Sequence, residues 1–154
     1  MTTVLGRFAH HTNDKVEQLA DIPLFRDVSH RQLEEMASYL DTVSVGPDTT
    51  LVREGRRNGA FWVLLEGEVE LWTEGGARHV LGPGEIFGVS SMLDGRPAVA
   101  TFRTLTPIRA LLASPAQFRG LKSNPLVAAR LLSTAIRRVR ESLEAQPKHL
   151  LPAA

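Results

Sequence analysis

The sequence contains no cysteine. Disulfides, thiolate metal sites and a cysteine nucleophile are therefore excluded, while the redox compartment stays open. An excess of charge of either sign is also missing: 18 Lys and Arg against 17 Asp and Glu leave a net charge of +1. Global electrostatics make no case for nucleic acid or an anionic membrane as a partner. No apolar run approaches the ~18 residues of a membrane span, and the N-terminus has no apolar signal-peptide core, so cytoplasmic residence is the expectation. The rest is ordinary for a soluble domain. With 154 residues, 43% of them hydrophobic and 23% charged, the chain can bury one proper core but not a second sizeable module.

Residues 1–13 show little periodicity and read as a flexible arm, and 146–154 as a flexible tail. Between them lies one domain, 14–145. A short helical pattern opens at Asp14 with Val16, Leu19 and Ala20, and ends at Ile22-Pro23 because the residue before proline avoids the helical region. Ile22 to Phe25 forms a compact apolar plug. Ser29 with Gln32 makes a capping box for a helix carrying Leu33, Met36, Ala37 and Leu40 at helical spacing. After Asp41 the character changes to short Val-, Leu-, Phe-, Trp- and Thr-rich segments separated by glycine turns. Strands are predicted over Thr42–Val45, Thr50–Arg53, Ala60–Leu65, Glu68–Thr73, His79–Leu81, Val99–Thr104 and Ile108–Ala113. In the fourth, Val69, Leu71 and Thr73 alternate with Glu68, Glu70 and Trp72, a strand with one wet face. Short strands at even spacing predict a small barrel or jelly-roll-like sandwich. Helical spacing returns at Pro115–Leu121 and again from Pro125, capped by Asn124, to about Glu144. Along this last helix Ala129, Leu132, Ile136, Val139 and Leu143 make one apolar stripe.

The most informative stretch runs from Gly84 to Thr101. The turn Gly82 to Gly84 leads into Ile86-Phe87, then Gly88, a one-turn helical segment, and an Asp94-Gly95 turn before the next strand. Such a loop aims a short helix N-terminus and its free amides at one spot, an anion-binding arrangement.

This stretch resembles the phosphate-binding cassette of cyclic-nucleotide-binding domains. Ile22 to Phe25 looks like that family's entry signature, Arg53-Glu54-Gly55 and Leu64 to Val69 its two glycine turns, Phe87-Gly88 its cassette and Ala100-Thr101 the cassette exit. The order is similar from about Leu19 to Leu143. The resemblance implies a mainly β fold: an antiparallel β-roll with N-terminal helices and a long C-terminal helix. It also implies a cyclic-AMP-like ligand, with Phe87, Gly88, Val89, Ser90, Ser91, Arg96, Ala98 and Val99 around it. Two family positions are altered. Val89 stands where the family carries a ribose-binding Glu, and Ala98 where it carries the phosphate-pairing Arg. Hydrogen bonds to charged groups contribute about 1.5–3 kcal/mol each, so their loss weakens binding by roughly a hundred- to ten-thousand-fold. Family transcription factors add a helix-turn-helix after the long helix. Only about ten residues follow Glu144, so neither a DNA-reading head nor a DNA partner is expected.

Backbone donors at Gly88, Val89, Ser90 and Ser91 remain to cradle an anion, with amides of Ala98 and Val99 nearby. The hydroxyls of Ser90 and Ser91 serve either as helix caps or as anion contacts. Arg96, two residues before Ala98, either swings in as a substitute cation or is solvated in its Asp-Gly turn, whereas Arg103 has the opposite strand parity and should face away. Other chemistry finds little support. His10 and His11 sit in the arm, and His79 alone lies in the roll, so a metal centre is not expected. No Ser-His-Asp set, P-loop or catalytic carboxylate pair can be assembled. Glu54, Glu66, Glu68, Glu70 and Glu85 read as turn and strand-face charges. Trp62 and Trp72 read as packing residues, and Arg137, Arg138 and Arg140 as the wet side of an amphipathic helix, favoured over a contact to phosphate or to a partner's acidic face.

The expectation is therefore a non-enzymatic regulatory domain with no cofactor, a ligand sensor with weak or altered cyclic nucleotide binding. The alternative is a non-binding scaffold that docks an unknown protein or forms a homodimer. For the stripe Ala129 to Leu143, pairing with a second copy and packing back on the roll both remain open.

Overall fold

The computed structural model describes residues 14–144, with side chains to Glu141. The expected arm, tail, His10 and His11 lie outside the described residues, as does the Leu143 side chain. Helix α1 (14–20) is followed by a 3-10 turn at Pro23–Phe25, α2 (His30–Ala37), β1 (Asp41–Val45), β2 (Thr50–Val52), β3 (Phe61–Glu66), β4 (Val69–Trp72), β5 (Arg78–Leu81) and β6 (Ile86–Phe87). Then come α3 (Val89–Asp94), β7 (Thr101–Thr104), β8 (Ile108–Ala113), α4 (Pro115–Lys122) and α5 (Pro125–Glu144). The strands form two four-stranded sheets, ordered β1-β8-β3-β6 and β2-β7-β4-β5, antiparallel in every pair. This is the expected β-roll with flanking helices.

The sheet containing β3 and β8 is covered on both faces, which explains why β3 reads as an unbroken apolar run. Successive side chains point to opposite faces. Phe61 and Val63 therefore join Leu111 and Ala113 against the helices, while Trp62 and Leu64 join Ala110 inside the roll. On the helical side the rings of Phe61 and Phe118 are 5.2 Å apart. Inside the roll a stacked column runs from Trp62 to Phe87 (5.6 Å) and on to Phe102 (4.8 Å).

Local chemistry sets the helix starts. Ser29 and Gln32 form the expected reciprocal capping box, and Ser114 with Gln117 forms a second. Asn124 Oδ1 accepts from the amides of Leu126 (3.0 Å) and Val127 (3.2 Å), capping α5. Two strand assignments shift. Ile86-Phe87 is a strand, because it pairs with Val63 and Trp62 of β3. Strand β7 begins at Thr101 instead of Val99, because the Ala98 amide donates to Arg56 O and the Gly55 amide to Ala98 O. These bonds tie Ala98 to a loop.

Helix α5 carries two apolar rows. Val127, Leu131 and Ala135 are buried, at spacings of four, and pack with the first core. Leu132 and Ile136, from the stripe singled out above, are 54% and 49% exposed, and Val139 is exposed beside them. At about 100° per residue the centre of the exposed row stands roughly 110° around the helix from that of the buried row, about a third of a turn. The stripe therefore does not pack back on the roll. Arg130 holds the buried side in place, donating from Nη1 to the carbonyl oxygens of Leu24 (3.1 Å) and Arg26.

Candidate ligand site

The cassette turns on Gly88. Its φ of +81° lies in the left-handed region, and it stands at the N-cap of α3 without a side-chain cap. A Cβ there would stand 2.6 Å from Ala60 O and 2.9 Å from Asn58 Nδ2. Asn58 is the pin: its Nδ2 reaches Ala60 O (2.8 Å), Gly88 O (3.1 Å) and Ser91 Oγ (3.0 Å), and its Oδ1 accepts from the Ala60 amide (3.1 Å). One amide side chain thus clamps the entry to β3 against the start of α3. The first amides of α3 have no partner within the helix, as at any helix start.

Gly88, Val89, Ser90, Ser91, Ala98 and Val99 all line one cleft between the roll and α5, closed below by Leu71 and Phe102. Its free volume is about 30 Å³, space for two or three waters by the ~10–15 Å³ that one water requires. Val89 is buried to 3% exposure and Ala98 to 7%, so the two positions that carry charge in the resembled cassette contribute apolar surface. Phe87 is fully buried beneath the cleft, stacked between Trp62 and Phe102, and shapes its floor without lining it. The Ser91 hydroxyl accepts from Asn58, so it anchors the loop. The Ala98 amide is taken by Arg56 O and is not a free donor. Arg96 is exposed in the turn after α3, where its amide binds Asp94 Oδ1 at 2.9 Å, and it is not among the lining residues. Arg103 faces away as its parity requires, paired with Asp48 at 3.1 Å.

The cation of the cleft is Arg138. After Val127, Leu131 and Ala135, the next position on the buried row of α5 is Arg138, three residues on. Its guanidinium enters the cleft beside Glu141, donates from Nη2 to Ile86 O, and lies 5.9 Å from the centre of the Phe102 ring. Burial, seconded by the neighbouring Arg137, lowers its pKa to about 10, against the opposing pull of Glu85 and Glu141. Sequence reasoning grouped Arg137, Arg138 and Arg140 as one cluster, favouring the wet side with a phosphate contact as the alternative, and did not single out Arg138. The spacings of four, four and three from Val127 are the signal that finds it. His79 is exposed at the cleft mouth, and the described residues hold no cluster able to bind a metal. The cleft, apolar over much of its lining with the Arg138 guanidinium at one side, suits capture of a small ligand.

A protein-family model for the cyclic nucleotide-binding domain matches residues 42–124, just over half of the chain. This protein belongs to that family. Among curated relatives, a cAMP-dependent protein kinase regulatory subunit of Emericella nidulans is 29% identical over 93 residues, covering 59% of this chain and 23% of that one. The chain spans about a quarter of the length of such relatives. The regulatory domain of Toxoplasma gondii PKA with cAMP superposes with a TM-score of 0.73 at 15% identity, over 84% of this chain and 51% of the other. The regulatory subunit of a cAMP-independent protein kinase A from Trypanosoma brucei gives a TM-score of 0.73 at 18% identity, over 82% and 46%. These two likenesses are of fold. No described helix is long and apolar enough to cross a membrane.

Proposed function

We propose that this chain is a non-enzymatic regulatory module whose cleft takes a cyclic nucleotide or similar ligand weakly, or with altered preference. The observation that carries this reading is the shared cleft of Gly88, Val89, Ser90 and Ser91, on a domain of the cyclic nucleotide-binding family. The narrow free volume and the apolar residues at positions 89 and 98 support weakened capture. Proteins of the same fold include a regulatory domain with cAMP and the regulatory subunit of a cAMP-independent kinase, which fits a choice of ligand made by cleft residues rather than by the roll. Ligand capture would be transmitted through α5, the long helix that lines the cleft. Calorimetry with cyclic AMP and cyclic GMP tests this: heats that saturate between micromolar and millimolar ligand are expected, and silence at millimolar ligand would end the sensor reading.

A second reading is favoured by the outward row of α5. Leu132, Ile136 and Val139 are exposed large hydrophobics along one row of the helix, a seam for a second copy of the chain in a twofold dimer, or for a docking protein. In this scaffold reading the cleft is self-filled, a cytoplasmic location is retained and no DNA or membrane is engaged. Sedimentation showing only monomer at high micromolar concentration counts against the dimer.

A further inference from the structure

Arg138 is a cation in search of an anion. Its guanidinium is partly withdrawn from water, yet among the described residues no carboxylate is within ion-pair distance of it, Glu85 and Glu141 acting only from further off. Glu141, facing the same cleft, pairs instead with Arg137 at 3.9 Å. Glu85 spends a carboxylate oxygen on the Gly82 amide at 2.6 Å. A guanidinium has five N–H donors, and the hydrogen bond described for Arg138 is the one to Ile86 O. The lining side chains of Val52, Val89 and Ala98 offer an apolar or aromatic body a surface and offer a charge nothing. Removing a charge from water without a counter-charge is costly, and a ligand that supplies the missing anion recovers that cost on binding.

We propose that Arg138 of α5 is the residue that pairs the ligand's negative charge, so that this cleft selects an anionic group carried on a flat or apolar body. This rests on reading the cleft as the ligand site, and moves the cation from the cassette, where position 98 is alanine, to the C-terminal helix. The consequence is mechanical. A cation on the roll would leave α5 free when the anion is bound, whereas a cation on α5 makes the anion a clamp between helix and roll. Capture and helix position are then one event.

The test is calorimetry on the full chain with cyclic AMP, adenosine, phenyl phosphate and benzoate, using wild type, Arg138→Gln, Arg138→Lys and Arg140→Gln. Gln keeps a donor for Ile86 O without the charge, and Arg140 is exposed on the same helix. The expected result is that Arg138→Gln binds cyclic AMP and phenyl phosphate roughly ten- to a hundred-fold more weakly. Arg138→Lys should fall between, Arg140→Gln should match wild type, and adenosine should bind no better to wild type than to Arg138→Gln. In wild type the Arg138 Nε–H resonance should move on ligand addition, a readout that needs no substitution. Cyclic AMP bound equally by Arg138→Gln, or without movement of that resonance, overturns the inference and leaves the family reading standing. Phenyl phosphate or benzoate bound through Arg138, with cyclic AMP ignored, upholds the inference and ends the cyclic nucleotide reading. Binding of none of the anions overturns both.

Discussion

The Arg138 guanidinium donates to the carbonyl oxygen of Ile86, joining the C-terminal helix to the strand that leads into the cassette. Two elements 52 residues apart in sequence are thereby coupled at the point where the cleft opens. Arg130 makes the equivalent attachment one end earlier, to the Leu24 and Arg26 carbonyls. Helix α5 is thus held by two arginines reaching backbone oxygens and by the Val127-Leu131-Ala135 row between them.

Removing the Arg138 charge should not unfold the protein. A partly desolvated guanidinium without an ion-pair partner opposes folding, so Arg138→Met is expected to equal or exceed wild type in stability at neutral pH, even after losing a hydrogen bond worth about 1 kcal/mol. The sign follows from linkage. Arg138 is a base whose folded pKa, about 10, is depressed; its penalty is present in full below that pH and is relieved as pH rises through it. Denaturant melts from neutral to strongly alkaline pH should show a constant gap between variant and wild type below pH ~10, with wild type gaining on the variant above it. A gap independent of pH across that range would contradict this.

Gly88→Ala should be costly and Gly95→Ala should be mild. Both glycines have positive φ, but a Cβ at Gly95 meets nothing within 4 Å while one at Gly88 meets Ala60 O at 2.6 Å. Left-handed backbone alone costs about 1–2 kcal/mol for an alanine, and the clash should bring Gly88→Ala to about 3 kcal/mol or more. Urea melts of the two variants read the difference directly. Asn58→Ala, which frees the same loop, should also speed hydrogen exchange at the α3 amides.

Restoring the two family side chains should restore tight binding. Val89→Glu combined with Ala98→Arg supplies a ribose acceptor and a phosphate-pairing cation, and the pair should strengthen cyclic AMP binding by roughly a hundred-fold or more. The same variant, folded but silent in calorimetry, would show that the cleft has been remodelled beyond those positions.

The outward row of α5 predicts self-association. Leu132→Glu and Ile136→Glu alter exposed positions, so each should change stability by less than about 0.5 kcal/mol. Sedimentation of wild type at high micromolar concentration should show dimer, and the variants monomer. Identical behaviour of all three proteins would remove the seam.

Much of the fold was legible because its signals are local. Ser29 with Gln32 announces a cap through bonds spanning three residues, Asn124 does the same for α5, and Gly88 and Gly95 mark turns whose positive φ few other residues adopt. The cassette residues were legible for a similar reason, since they follow one another along a single loop. What escaped was whatever depends on a partner distant in sequence. Ile86-Phe87 is too short to declare itself a strand until β3 pairs with it. Residues 98–100 have the composition of a strand, yet the loop at Gly55 and Arg56 takes both backbone hydrogen bonds of Ala98.

Helix α5 shows the division most clearly. Its sequence determines that it is a helix, with one apolar row through Leu132 and Ile136 and another through Val127 and Leu131, because spacing of three and four is all that a helix requires of a row. Spacing is silent on which row meets the roll, since both satisfy it equally. Only the tertiary structure decided that the Val127 row goes inward, and with it Arg138. The depth and direction of the Pro23–Phe25 turn and of β6 set that choice, because they supply the apolar surface and the carbonyl oxygens that this face of the helix can reach.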